Sequence, residues 1–237
     1  MTPATARPHP SGTPLVLFFH GNSFPASTYQ VMLNELRRRG LQLHTLEKIG
    51  HNPAYPVTSN WPHLVEEVKA FAQPLVAAHS GPVVLVGHSL GGMLSLMLAA
   101  QYPELAHAVV MVDAPAVAGW QANLLHLSKK LSFTAKYSPG AVSKKRRHQW
   151  GSLDEVRQHF ASKKNFARWQ PQVLEDYITH GTHEFAVEGQ VRRELSFSRD
   201  IETLIYNTVP HHLESLIKRH PLKCPVSLVA ARHSQEM

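Results

Sequence analysis

The chain has 237 residues, 43% hydrophobic and 17% charged, which supports a folded domain with a sizeable core and excludes a disordered polyelectrolyte. A formal net charge of +7 raises the question of an anionic partner. The cations cluster locally, in Lys129-Lys130, Lys144-Lys145-Arg146-Arg147 and Lys163-Lys164. No nucleic-acid-binding motif surrounds them, so a basic solvated surface is expected, with no nucleic-acid partner. The one cysteine, Cys224, excludes an internal disulfide and fits a reducing, cytoplasmic setting. No apolar run of about 18 residues marks a membrane span.

Residues 1–14 are rich in Pro, Thr and Ala without the charged-then-apolar order of a signal peptide, and read as a disordered leader. Leu15 to Phe19 is a continuous apolar run, as expected of a parallel strand buried on both faces. A helix follows, with Ser27 or Thr28 as its cap and Gly40 at its end. Leu41 to Leu46 alternates like a strand, and loop residues run from Gly50 to Asn60. Trp61 to Ala78 reads as a helix with Glu66 and Glu67 outward and Pro74 as a kink or stop. Pro82 to Val86 is a second buried strand, Met93 to Tyr102 an apolar helix, and Ala108 to Val112 a further strand ending at Asp113. Val226 to Ala230 is the last strand. Between Ala114 and Pro221 the alternation stops and helical patterns with few strand-like runs dominate.

The expected fold class is α/β, a mostly parallel doubly wound sheet with an inserted helical lid. The expected division is a leader at 1–14, the first part of the core at 15–113, the lid and return helix at 114–220, and a core strand with an incomplete C-terminal part at 221–237.

Gly87-His88-Ser89-Leu90-Gly91 fits G-x-S-x-G, and its context matters more than the match. A buried strand leads in and an apolar helix leads out, the setting in which such a turn lifts a serine hydroxyl above a sheet edge. Side chains at Gly87 and Gly91 would strike neighbouring backbone, and Ser89 is forced into strain. His20-Gly21-Asn22 ends the first buried strand.

With these segments the chain resembles the α/β-hydrolase superfamily. HGNSFPASTY, NWPHLVEEV, GHSLGG and VDAPAVAGW follow one another in that family's order. The resemblance implies Ser89 as nucleophile and the backbone N–H groups of Asn22 and Leu90 as the oxyanion hole, with His20 shaping the loop rather than acting as base. Two carboxylates compete for the acid that orients the base. Asp113 ends the strand after the nucleophile helix. Glu236 follows the last strand, where most members place the acid, but Ala230-Ala231-Arg232 replaces the usual glycines. The implied catalytic histidine belongs in a later loop. His233 comes too early and His211 and His212 lie in the return region, so none is assigned, and a missing segment of roughly 30 or more residues is expected.

The implied function is a serine hydrolase acting on a small-molecule carboxylic ester or related acyl bond. The rival is a non-catalytic binding protein on the same scaffold. Dehalogenases and epoxide hydrolases of this fold need Asp where Ser89 stands. Trp120, Trp150, Trp169, Phe160 and Phe166 either line an acyl pocket or pack the lid. Lys144 to Arg147 either binds an anion or forms a solvated lid face. Cys224, before Pro225, reads as structural. No phosphate-loop, dinucleotide or H-E-x-x-H motif is present, so no cofactor or metal is expected.

Overall fold

The computed structural model describes residues 11–114 and 139–231. Five parallel strands form the main sheet: β1 (Leu15–Phe19), β2 (Gln42–Thr45), β3 (Val83–His88), β4 (Ala108–Val112) and a last strand at Val226–Val229, in the order β2-β1-β3-β4-last. β1 lies between β2 and β3 and is covered on both faces, which is why all five of its residues are apolar and buried.

The crossovers are helical. α1 (Gln30–Arg38) follows β1, α2 (Pro62–Ala77) follows β2, and α3 (Leu90–Gln101) follows β3. Every residue of α3 from Leu90 to Ala100 is buried, so the helix runs through the core and is apolar all round. Phe19, Leu64, Val68, Leu85, Leu94, Leu98 and Met111 belong to this core. No described helix is long and apolar enough to cross a membrane.

The insertion carries α4 (Pro139–Lys145), β5 (Gln149–Trp150), α5 (Leu153–Ala161) and α6 (Pro171–His180). A hairpin follows, β6 (Thr182–Val187) and β7 (Gln190–Leu195), then α7 (Arg199–Asn207), α8 (Leu213–Arg219) and the last core strand, β8 (Val226–Val229). It has its own core of Trp150, Val156, Phe160, Tyr177, Ile178 and Leu195. Phe24, from the loop after β1, stacks on Trp169 and Tyr177 and joins the insertion to the main domain.

Four local expectations need correction. The insertion is not essentially helical: β5, β7 and β6 form a three-stranded antiparallel sheet. Neither Ser27 nor Thr28 caps α1. Ser27 Oγ donates to Glu47 and Thr28 Oγ1 to the Pro25 carbonyl, inside a 3-10 turn at Ala26–Tyr29 that precedes the helix. Glu67 points inward, 5% exposed, where it accepts the Gly50 N–H at 2.7 Å. Of the two readings of Pro74, a stop is excluded, because α2 continues to Ala77. The expected leader lies outside the described residues as far as residue 10.

Candidate active site

The C-terminal ends of β1, β3 and β4 meet at one edge of the sheet. β3 and β4 pair in parallel as far as His88 opposite Val112, so Ser89 and Asp113 are the next residues on neighbouring strands. The Ser89 N–H donates to the Val112 carbonyl at 3.1 Å. Asp113 is fastened from its other side, its N–H donating to the Val229 carbonyl at 2.7 Å.

Ser89 sits at φ 47°, ψ −109°, a conformation that costs a non-glycine residue on the order of 1–3 kcal/mol. The glycines around it make the turn possible. A Cβ on Gly87 would stand 2.1 Å from the Gly91 carbonyl, and one on Gly91 would stand 2.0 Å from the Phe19 carbonyl oxygen. With neither present, the Gly91 N–H reaches the His20 carbonyl at 3.1 Å and ties the head of α3 to the end of β1. Ser89 occupies the cap position of α3, yet its side chain makes no capping bond. The hydroxyl stays half-exposed at the head of the helix.

Leu90 is the first residue of α3, and its N–H has no carbonyl one turn behind it. Asn22 is buried in the loop after β1, 6% exposed. Gly21 N–H donates to Tyr29 Oη at 3.0 Å and Phe24 N–H to the Gly21 carbonyl at 3.2 Å. The amides of Asn22 and Leu90 donate to no acceptor among the described residues. The Asn22 side chain is used structurally, its Nδ2 donating to the Glu202 carbonyl at 3.1 Å.

Asp113 is also held at positive φ, 43°. Its Oδ1 is buried with no hydrogen-bond partner, an expensive arrangement for a carboxylate unless a donor reaches it. Its charge acts on His88, raising a pKa that burial lowers below the usual histidine range. Glu236, the competing acid, lies outside the described residues, as do His233 and Trp120.

Three histidines near the edge are already committed. The Ile49 N–H donates to His20 Nε2 at 2.8 Å, which places the ring proton on Nδ1, where it donates to the Gly21 carbonyl at 2.8 Å. Burial pulls the pKa of His20 down to about 4, so it is neutral and shapes the loop. His88 Nδ1 is 2.7 Å from Tyr29 Oη. His212 Nδ1 bonds Asn60 Oδ1 at 2.8 Å. No described histidine bonds Ser89 or Asp113. Three or more metal-ligating side chains do not gather anywhere among the described residues.

Sequence reasoning missed two groups that hold the site. Tyr29 bridges Gly21 N–H and His88 across 59 residues of chain. Arg146 donates from Nη1 to Glu202 and to Ser23 Oγ, each at 3.0 Å, and from Nη2 to Tyr177 Oη at 3.0 Å. Ser23 is itself at φ 72°, so the residue after Asn22 is held in strain from the insertion. Arg146 is therefore not part of a solvated face. No local signal announces either contact.

A cavity of about 250 Å³ opens beside His88, walled by Phe24, Tyr29, Met32, Trp169 and Val173. Of the aromatic residues expected either to line a pocket or to pack the lid, Trp169 lines this cavity, whereas Trp150 is fully buried and packs with Phe160 in the insertion's core. Cys224 packs against the main core.

The model of the alpha/beta hydrolase family matches residues 16–211. The chain is 31% identical over 104 residues to 2-(acetamidomethylene)succinate hydrolase of Mesorhizobium japonicum, 42% of this chain and 35% of that protein. It is 34% identical over 109 residues to the lipase LipV of Mycobacterium tuberculosis, 46% of this chain and 40% of that one. The chain thus spans between 35% and 40% of the length of these curated relatives. An esterase crystal structure from Mycobacterium tuberculosis superposes with a TM-score of 0.62 at 16% identity, covering 92% of this chain and 66% of that one, a likeness of fold. The match across 16–211, on a parallel sheet with a Ser89 elbow, means that the chain belongs to the alpha/beta hydrolase family.

Proposed function

We propose that the protein is a serine hydrolase that cleaves a carboxylic ester or a related acyl bond through an acyl-enzyme. In this reading Ser89 Oγ attacks the carbonyl carbon and passes its proton to a histidine base. The carbonyl oxygen takes up the negative charge between the amides of Asn22 and Leu90. Losing one such donor typically costs a few kcal/mol of barrier lowering. Collapse expels the alcohol, which takes the proton back from the base, and water then releases the acid. Asp113 is the proposed acid. Its buried, unpartnered Oδ1 is the acceptor that a histidine N–H requires. The base itself is assigned to no described residue, because His20, His88 and His212 are tied elsewhere. Residues 114–220 are proposed as the lid and return helix, and the cavity beside His88 as the place of the acyl chain.

One observation carries this reading. Ser89 is held in a strained turn with its hydroxyl free of the helix it heads. A binding protein gains nothing from that strain, whereas a nucleophile gains exposure and the helix N-terminal amides. The test is hydrolysis of p-nitrophenyl butyrate by wild type, Ser89→Ala and Asp113→Asn. Loss of turnover in Ser89→Ala, and a fall of at least about a hundred-fold in Asp113→Asn, is expected. Wild-type turnover in Ser89→Ala would refute the assignment.

A further inference from the structure

A second cavity, of about 870 Å³, lies between the insertion and the loop that carries Asn22. Ser23 and Phe24 form its wall on the core side, and Lys145, Arg146, Arg147, Lys163 and Lys164 all line it. Glu202 is its one carboxylate. The charges are not equally available. Arg146 and Glu202 neutralise one another at 3.0 Å, and Arg147 is paired with Glu155 at 2.6 Å. Lys145, Lys163 and Lys164 make no ion pair among the described residues. Three lysines without an ion pair among the described residues therefore line one concavity whose other walls include Phe160, Phe166 and Tyr206. Apolar walls focus such a field and raise the local concentration of an anion.

The cavity is also placed to matter. Phe24 lines both this cavity and the apolar one beside His88, and His88 immediately precedes Ser89. A molecule that passes Phe24 would place an apolar chain on one side of that ring and a charged group on the other. From this we infer that the substrate is an amphiphilic ester carrying a phosphate or carboxylate, whose anionic group is held by Lys145, Lys163 and Lys164. That the bound molecule is a substrate rests on the acyl-transfer reading of Ser89. The anion site rests on the cavity alone.

The test is calorimetric titration of the wild-type chain with hexyl phosphate, hexanoate and hexan-1-ol, at about 20 and about 150 mM salt. Inorganic phosphate serves as a competitor, and p-nitrophenyl butyrate hydrolysis is measured in the same preparation. Hexyl phosphate is expected to bind at least about ten-fold more tightly than hexan-1-ol, the scale of two or three ion pairs, and to weaken several-fold at the higher salt. Hexanoate binding as tightly as hexyl phosphate marks a carboxylate site, and weaker binding marks a phosphate site. Lys163→Glu with Lys164→Glu, both on the exposed surface, is expected to abolish the preference for the anion. Equal binding of hexyl phosphate and hexan-1-ol by wild type, or a preference insensitive to salt, would overturn the inference whatever the variant does. Anion preference without ester hydrolysis removes the reading of Ser89 and leaves the anion site. Hydrolysis without anion preference does the reverse.

Discussion

Two buried titratable groups grip consecutive amides of one turn, and their opposite responses to pH give a quantitative check on the loop that carries Asn22. His20 accepts the Ile49 N–H and Glu67 accepts the Gly50 N–H. Burial lowers His20 to about 4 from 6.5 and raises Glu67 to about 7 from 4.5. For His20 the folded value is depressed, so its contribution is complete above about pH 6.5 and is lost as pH falls towards 4. For Glu67 the folded value is raised, so its contribution is complete below about pH 4.5 and is lost as pH rises through 7. The His20 shift corresponds to about 3 kcal/mol, and between pH 4.5 and 6.5 the slope from Glu67 opposes it. The wild type should therefore vary less in stability across that window than a variant without Glu67. Glu67→Gln keeps an acceptor for Gly50 and removes one slope. It should lose about 3 kcal/mol between pH 7 and pH 4, a more than hundred-fold rise in the unfolding constant. His51, whose Nε2 accepts the Ser198 N–H and whose pKa burial also lowers, acts in the same direction. Urea unfolding of both proteins at pH 7.5, 5.5 and 4 is the assay. A Glu67→Gln variant equally stable at all three would refute the argument, and with it the neutral, loop-holding role of His20.

Gly91→Ala puts a Cβ 2.0 Å from the Phe19 oxygen; backbone must move, so a loss of at least about 2 kcal/mol and of ester hydrolysis is expected by urea melt and turnover. Glu202→Leu leaves Arg146, only 23% exposed, without its carboxylate and should cost about 3 kcal/mol of stability by the same melt; an unchanged midpoint would show that the pair does not fasten the insertion.

The parts that sequence made legible are those whose chemistry is local. The run in β1 is apolar because both of its faces are covered, those in β3 and β4 bury alternate residues fully and the rest partly, and Gly87 and Gly91 mark the elbow because only a missing Cβ fits there. The hairpin of β6 and β7 was harder. THEFAV and QVRREL alternate weakly because the insertion buries little of them, with Thr182 and Leu195 among the few covered residues. Its turn did carry a signal, since Glu188 and Gly189 both take positive φ, 51° and 76°, as a two-residue hairpin turn demands. The predicted caps failed because Glu47 and the Pro25 carbonyl compete for the hydroxyls of Ser27 and Thr28. The Arg146–Glu202 pair spans 56 residues, and no periodicity reports a partner at that distance. The same holds for Glu67, whose place on the inner face of α2 is compensated only by a turn 17 residues earlier.

The central claim is that Ser89 is a nucleophile, and a fluorophosphonate probe reads it directly. Wild type and Ser89→Ala would be treated in parallel and weighed intact, with the labelled peptide then mapped. One covalent adduct on wild type, at Ser89, and none on the variant is the predicted result. A variant labelled to the same extent as wild type, with the label on another residue, would contradict it.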